Sequence, residues 1–187
     1  MIADSAIRII ARDGVRALTH RAVDQEAGLA QGSTSHLART RSALIELVVD
    51  ALATRTLADS EAMTDALATP SESDLDIDGL AALVSSLIES LAERGDDMRA
   101  RYALILELHD APDLRAKLTS GSEVHLTAQR IITAALTRAH LPHSDDRVDE
   151  LLALADSLVF RRTAIDGSTA VEPVLAAYLR GITTGRA

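Results

Sequence analysis

Between Thr19 and Leu44 the chain reads THRAVDQEAGLAQGSTSHLARTRSAL, two short patterned stretches hinged on a glycine. Ala22, Val23 and Ala27 set a narrow apolar stripe on a helix over 20–27. Gly28 follows where a chain leaving a helix takes a positive φ, which glycine adopts without strain. Leu29 then caps the core between this helix and a second over 31–37. Thr40 or Ser42 opens a third, long helix. This is the layout of a helix–turn–helix, whose second helix lies in a DNA major groove.

The rest of the chain is also helical in pattern. Of its 187 residues 47% are hydrophobic, yet only one is Phe, two are Tyr and none is Trp. Aliphatic side chains and alanine must therefore fill the core, which favours close helix–helix contact over an aromatic-rich sheet. No cysteine is present, so disulfides, thiolate chemistry and Cys-ligated metals are excluded. No uncharged apolar run reaches the roughly 18 residues of a membrane span, and Met1 leads directly into an amphipathic helix, so a cytoplasmic protein is expected.

Net charge is −9, which on its own opposes nucleic-acid binding, but its distribution is uneven. Residues 1–41 hold six arginines against four acids, a net +2, and the remainder holds 13 basic and 24 acidic residues, a net −11. A weakly basic head on an acidic body is the asymmetry expected when only the head approaches phosphate.

Helical spacing predicts a first helix over 2–12, closed by Gly14, and a long one from about residue 40 to Leu67. The stretch 68–78 is polar, contains Pro70 and reads as a loop. Further helices are expected over 79–94, 97–109, 112–139 (with Gly121 as a bend or a weak spot), 146–165 and 171–183. Asp96 and Asp97 suit a helix start, and Thr169 with Glu172 resembles a capping box. The expectation is an all-α chain of about nine helices: a three-helix head over 1–45 and a helical body over 46–187.

The pattern T-x-R-x-V-x-x-x-A-G-L-x-x-G-S-T-S from Thr19 to Ser35, followed by R-T-R-S-A-L from Arg39 to Leu44, resembles the DNA-binding domain of the TetR family of bacterial transcriptional regulators. The resemblance covers about forty residues. Family members usually carry two or three aromatic residues over 35–38, where this chain has Ser35, His36, Leu37 and Ala38. The tyrosine hydroxyls that touch phosphate in typical members are therefore missing.

The resemblance implies DNA contacts from Gln31, at a family base-contact position where its amide can read an adenine edge, and from Gly32, Ser33, Ser35 and His36. Thr19, Arg21, Thr40 and Arg41 flank them where phosphate contacts position a head; the plain alternative is that Thr19 and Thr40 are N-caps and Arg21 a solvated charge. The last two helices are apolar over more than one face, through Leu151, Leu154, Ala155 and Leu158 and through Val171, Val174, Leu175, Tyr178 and Ile182. They are expected to pair with a second copy, as the resemblance implies, in a homodimer that binds a pseudo-palindromic double-stranded operator. The family also implies a small-molecule effector in the body; Tyr102, Leu106, His109, His125, Gln129 and Phe160 are candidate lining residues, each also readable as an ordinary core or surface group.

No catalytic set converges. His109 and Asp110 are neighbours at a helix junction and are not expected to face each other. His140 and His143 span a Pro-containing connector without a third ligand, so no metal is expected, and no cofactor. The function expected is a ligand-responsive repressor without enzymatic activity. Two other readings stand beside it: a helical binding module with a degraded DNA-binding head, and a helical enzyme using the body.

Overall fold

A computed structural model of the chain describes residues 1–68, 75–119, 122–165, 167 and 170–184, the side chains of 61–63, 65–68 and 184 excepted. It is all-helical, with ten α-helices among the described residues. They are α1 (Ile2–Asp13), α2 (His20–Glu26), α3 (Ser33–Leu37), α4 (Arg41–Ala68), α5 (Ile77–Glu93), α6 (Gly95–Glu107), α7 (Pro112–Ala116), α8 (Glu123–Arg138), α9 (Asp145–Phe160) and α10 (Val171–Thr184). Short 3-10 turns occupy Val15–Ala17 and Leu108–Asp110, and a π-turn over Arg161–Ile165 extends α9.

The chain gathers into two compact units, Met1–Leu57 with Arg94–His125, and Ala58–Glu93 with Leu126–Ala187. In the first, Ile7 and Ile10 of α1, Leu18, Val23, Leu44 and Val48 of α4, and Leu104 of α6 form one buried apolar cluster. Residues 1–45 thus share their core with α6. In the second, α10 packs along α5 and α5 against α9, burying Leu80, Ile88, Leu151, Leu158, Leu175 and Leu179.

Two sequence expectations change. The helix expected over 112–139 is two helices: α7 closes at Ala116 and α8 opens at Glu123, with residues 120 and 121 outside the described ones. Asp97 does not cap α6; it is buried and receives both Nη1 contacts of Arg55, at 2.9 and 3.1 Å. Arg55 also donates to Asp4, so one guanidinium on α4 ties the start of α1 to the start of α6. Asp96 pairs with Arg99 at 2.6 Å within the first turn of α6. The expected capping box falls outside the described residues at Thr169, and so does most of the expected loop over 68–78.

Candidate nucleic-acid interface

The helix–turn–helix is built from α2 and α3. Thr19 is the N-cap of α2, its Oγ1 accepting from the Ala22 amide at 3.1 Å. Gly28, at φ 66°, turns the chain out of α2, and Gly32, at φ 94°, turns it into α3. Both φ values lie in the left-handed region that only glycine takes freely. α3 spans five residues, about one and a half turns, with Thr34 buried beneath it and Ala38 buried just past its end.

Its outward side carries Ser35, His36 and Leu37, all exposed, and exposed Gln31 stands at the entrance. Gly32 and Ser33 are half-buried, and the Ser33 hydroxyl donates to Ala30 O at 2.7 Å. A Cβ at Gly32 would meet nothing within 4 Å, leaving the backbone open to close approach. Arg21 of α2, and Arg39, Thr40 and Arg41 just past α3, are exposed. Thr40 accepts from the Ala43 amide at 3.1 Å, so both candidate threonines act as helix caps. Each keeps its own hydroxyl proton to donate elsewhere. Arg41 also has an internal partner: Nη2 donates to Val15 O at 2.7 Å, fastening the start of α4 to the turn after α1. Its remaining guanidinium donors lie on an exposed side chain.

Two residues outside the predicted set hold α3. Asp24 of α2, only 3% exposed, receives the Gly32 amide at 2.7 Å, the Thr34 amide at 2.8 Å and the Thr34 hydroxyl at 2.6 Å. The Thr34 hydroxyl, then its amide, hold the Asp24 carboxyl below the usual carboxylate range against the opposing effect of burial; the Gly32 amide and the charge of His20 add to this. At the other end the Nε2 of His20 lies 2.6 Å from Ala38 O, and since a carbonyl only accepts, the ring nitrogen is the donor. The signal for Asp24 was in the sequence: it stands beside Val23 on the short helix, and a carboxylate that is buried there must find donors. Leu37 was also missed as a surface residue; it is 61% exposed.

The head's basic residues are partly spent internally. Glu26 receives Arg8 Nε at 3.0 Å and Arg12 at 3.3 Å, and the Arg8 contact followed by that of Arg12 holds its carboxyl below the usual range. These arginines brace α1 against α2, and Arg21, Arg39 and Arg41, in α2 and just past α3, are exposed.

The six candidate effector residues divide between the two compact units. Tyr102, Leu106, His109 and His125 belong to one compact unit, and Gln129 and Phe160 to the other. Leu106 is 80% exposed, and His109 stands on the surface with its Nε2 3.2 Å from Asp110 Oδ2. That contact corrects the expectation for His109 and Asp110: the neighbours meet on an exposed corner, at the end of a 3-10 turn. Tyr102 lies under the guanidinium of Arg101, 5.2 Å from ring centroid to Cζ. Gln129 donates to Asp149 at 2.9 Å. Among the described residues no group of three or more His, Asp or Glu side chains is placed to hold a metal.

The dimer set also divides. Leu151, Leu158, Val171, Leu175 and Ile182 are buried within their own subunit, so they have little surface left to lose to a partner. Leu154, Ala155 and Tyr178 are half-buried, and Val174 is 39% exposed. Tyr178 donates to Glu150 Oε2 at 2.9 Å, and burial followed by that carboxylate pushes its phenol up to about 12. Phe160 is 40% exposed on α9.

Comparison with known proteins places this geometry. Residues 75–185 match the family model described as tetracyclin repressor-like, C-terminal domain. A transcriptional regulator from Rhodococcus sp. Rha1 superposes with a TM-score of 0.72 at 20% identity, over 98% of this chain and 95% of its own. A TetR-family member from Streptomyces coelicolor A3 gives 0.66 at 24% identity, over 97% and 95%. The multidrug binding protein EbrR, solved with imidazole, gives 0.60 at 24% identity, over 97% and 87%. No curated protein matches the chain. With the family model spanning more than half of its length, the chain belongs to the TetR family of transcriptional regulators.

Proposed function

We propose that the protein is a homodimeric, ligand-responsive repressor that reads a pseudo-palindromic operator with Gln31, Ser33, Ser35 and His36 in the major groove. The observation that carries this reading is the exposed polar side of α3, with Gly32 open to close approach and exposed Arg21, Arg39 and Arg41 in α2 and just past α3. Thr19 and Thr40 add hydroxyl protons for phosphate. A net charge of only +2 on the first 41 residues makes a single head a weak binder, so affinity rests on two heads supplied by a dimer. The exposed apolar side chains of α9 and α10, Phe160 and Val174 among them, with half-buried Leu154 and Ala155, are the surface assigned to the second subunit.

Control by an effector is assigned to α4 and α6. α4 runs unbroken from Arg41 to Ala68, and Arg55 within it binds both Asp4 and Asp97. A ligand that favours one arrangement of these helices shifts head geometry by its differential affinity for the two arrangements, and equal affinity shifts nothing. The scarcity of aromatic residues favours an aliphatic or uncharged effector over flat multi-ring cations, which gain from stacking.

Fluorescence anisotropy on the DNA upstream of the protein's own gene, against scrambled duplex across a salt series, tests the reading. Tight binding to the upstream piece alone is expected, with a log–log salt slope of several and a decrease of roughly one in that slope for Arg41→Ala. Failure to bind either duplex at low salt refutes it.

A further inference from the structure

α3 is too short to stand by itself. A helix of five residues, Ser33–Leu37, closes barely more than one hydrogen-bonded turn, and nucleating such a turn is unfavourable in isolation. Its direction is therefore dictated by whatever grips it. The apolar grip is slight: the residues beneath it, Thr34 and Ala38, contribute a hydroxyl with one methyl and a single methyl.

The polar grip is complete at both ends and comes from one face of α2. His20 and Asp24 are four residues apart, hence neighbours on that face. Asp24 gathers the amides that open α3, those of Gly32 and Thr34, together with the Thr34 hydroxyl, at 2.6 to 2.8 Å. His20 donates to Ala38 O, a carbonyl that α3 leaves unsatisfied where it ends, at 2.6 Å. A negative charge thus sits at the positive end of the helix and a donor at its negative end. Neither side chain points at the groove: Asp24 is buried and His20 half-buried, whereas Ser35 and His36 are exposed.

We infer that His20 and Asp24 are positioning residues for DNA recognition, a two-ended clamp that fixes the angle of α3 where a large side chain beneath it is lacking. The inference rests on the DNA-binding reading above. It makes sequence discrimination, which depends on base-edge geometry, more sensitive to the clamp than general phosphate attraction, which depends on charge at the rim.

The test uses the full-length protein with His20→Ala, Asp24→Ala, and the conservative His20→Gln and Asp24→Asn. Anisotropy on upstream and scrambled duplexes is read across a salt series, with circular dichroism and amide exchange at Gly32 and Thr34. The expected result for each alanine variant is a loss of about tenfold or more in the ratio of specific to scrambled binding. The salt slope and scrambled-duplex binding stay unchanged. Gly32 and Thr34 lose exchange protection in Asp24→Ala. His20→Gln, which keeps a side-chain N–H, and Asp24→Asn, which keeps one acceptor oxygen, recover part of the ratio and decide the matter if an alanine variant does not fold. Folded variants that discriminate as well as the unaltered protein overturn the clamp alone. Unaltered protein that binds no duplex overturns the DNA-binding reading and this inference with it.

Discussion

At Gly32 the backbone holds φ 94° with nothing within 4 Å of a notional Cβ, so alanine there meets strain without collision. Gly32→Ala should therefore destabilise the protein by about 1–2 kcal/mol, the cost of a left-handed L-residue, measured as a lower urea midpoint at an unchanged m-value. Asp24 makes the same turn pH-sensitive. Its folded carboxyl titrates below the unfolded value of about 3.9, so its contribution is complete above that value and disappears as pH falls through the folded one. Thermal unfolding should show the unaltered protein losing melting temperature on going from pH 6 to 3, with Asp24→Asn losing less. Glu26, Asp4 and Glu150 are shifted the same way, and the difference between the two proteins isolates Asp24. An equal fall in both would remove Asp24 from the account. Residue types located the glycines and the polar character of α3, and the family resemblance implied the inward Thr34. They did not locate the partner of Thr34, because the eight to ten residues between Asp24 and its donors close only when α2 and α3 fold back on each other.

Among the elements α4 carries the most weight. Leu44, Val48 and Leu52 of its first three turns are buried against α1, α2 and α6 in the shared core. Leu44→Ala should cost about 2–5 kcal/mol in a urea titration, the range for emptying a fully buried leucine site. On its polar side Arg55 holds the carboxylates of two other helices. Removing it leaves Asp97 buried with, among the described residues, the longer Arg94 contact at 3.5 Å. Arg55→Ala should accordingly lower the melting temperature, and a double-mutant cycle with Asp97→Ala should return a coupling energy distinct from zero; additivity would show that the pair does not act as a unit. Helix spacing made α1, α4, α5, α9 and α10 legible to within a few residues. It took 112–139 as one helix with Gly121 as a bend or a weak spot, although Thr119, Ser120, Gly121 and Ser122 form the polar, glycine-containing cluster that separates helices, and it read Asp97 as a cap because a helix start accounts for an acid there without a distant arginine.

For the whole molecule, the assembly reading puts most of its apolar interface on what α9 and α10 leave uncovered. Val174→Arg and Phe160→Glu change exposed positions while leaving the buried Leu151, Leu158 and Leu175 in place. Sedimentation velocity should report monomer for the double variant and a dimer for the unaltered protein, with operator affinity falling together with the dimer; a dimer that survives both changes would move the interface elsewhere. Sequence by itself determined the class of this protein: all-α composition, the glycine-hinged pair of short helices, the long helix after them and a basic head on an acidic body follow from local spacing and charge. Tertiary structure decided which side chains remain free to act. A helix apolar on two faces shows one pattern whether a face meets its own subunit or another, and only packing assigned Leu151, Leu158, Val171, Leu175 and Ile182 to the interior. An arginine looks equally available anywhere in a chain, yet Arg8 and Arg12 are bound to Glu26 and part of Arg41 to Val15. The grip on α3 likewise belongs to the fold, because hydrogen bonds between distant residues depend on where the backbone returns and not on what stands next in line.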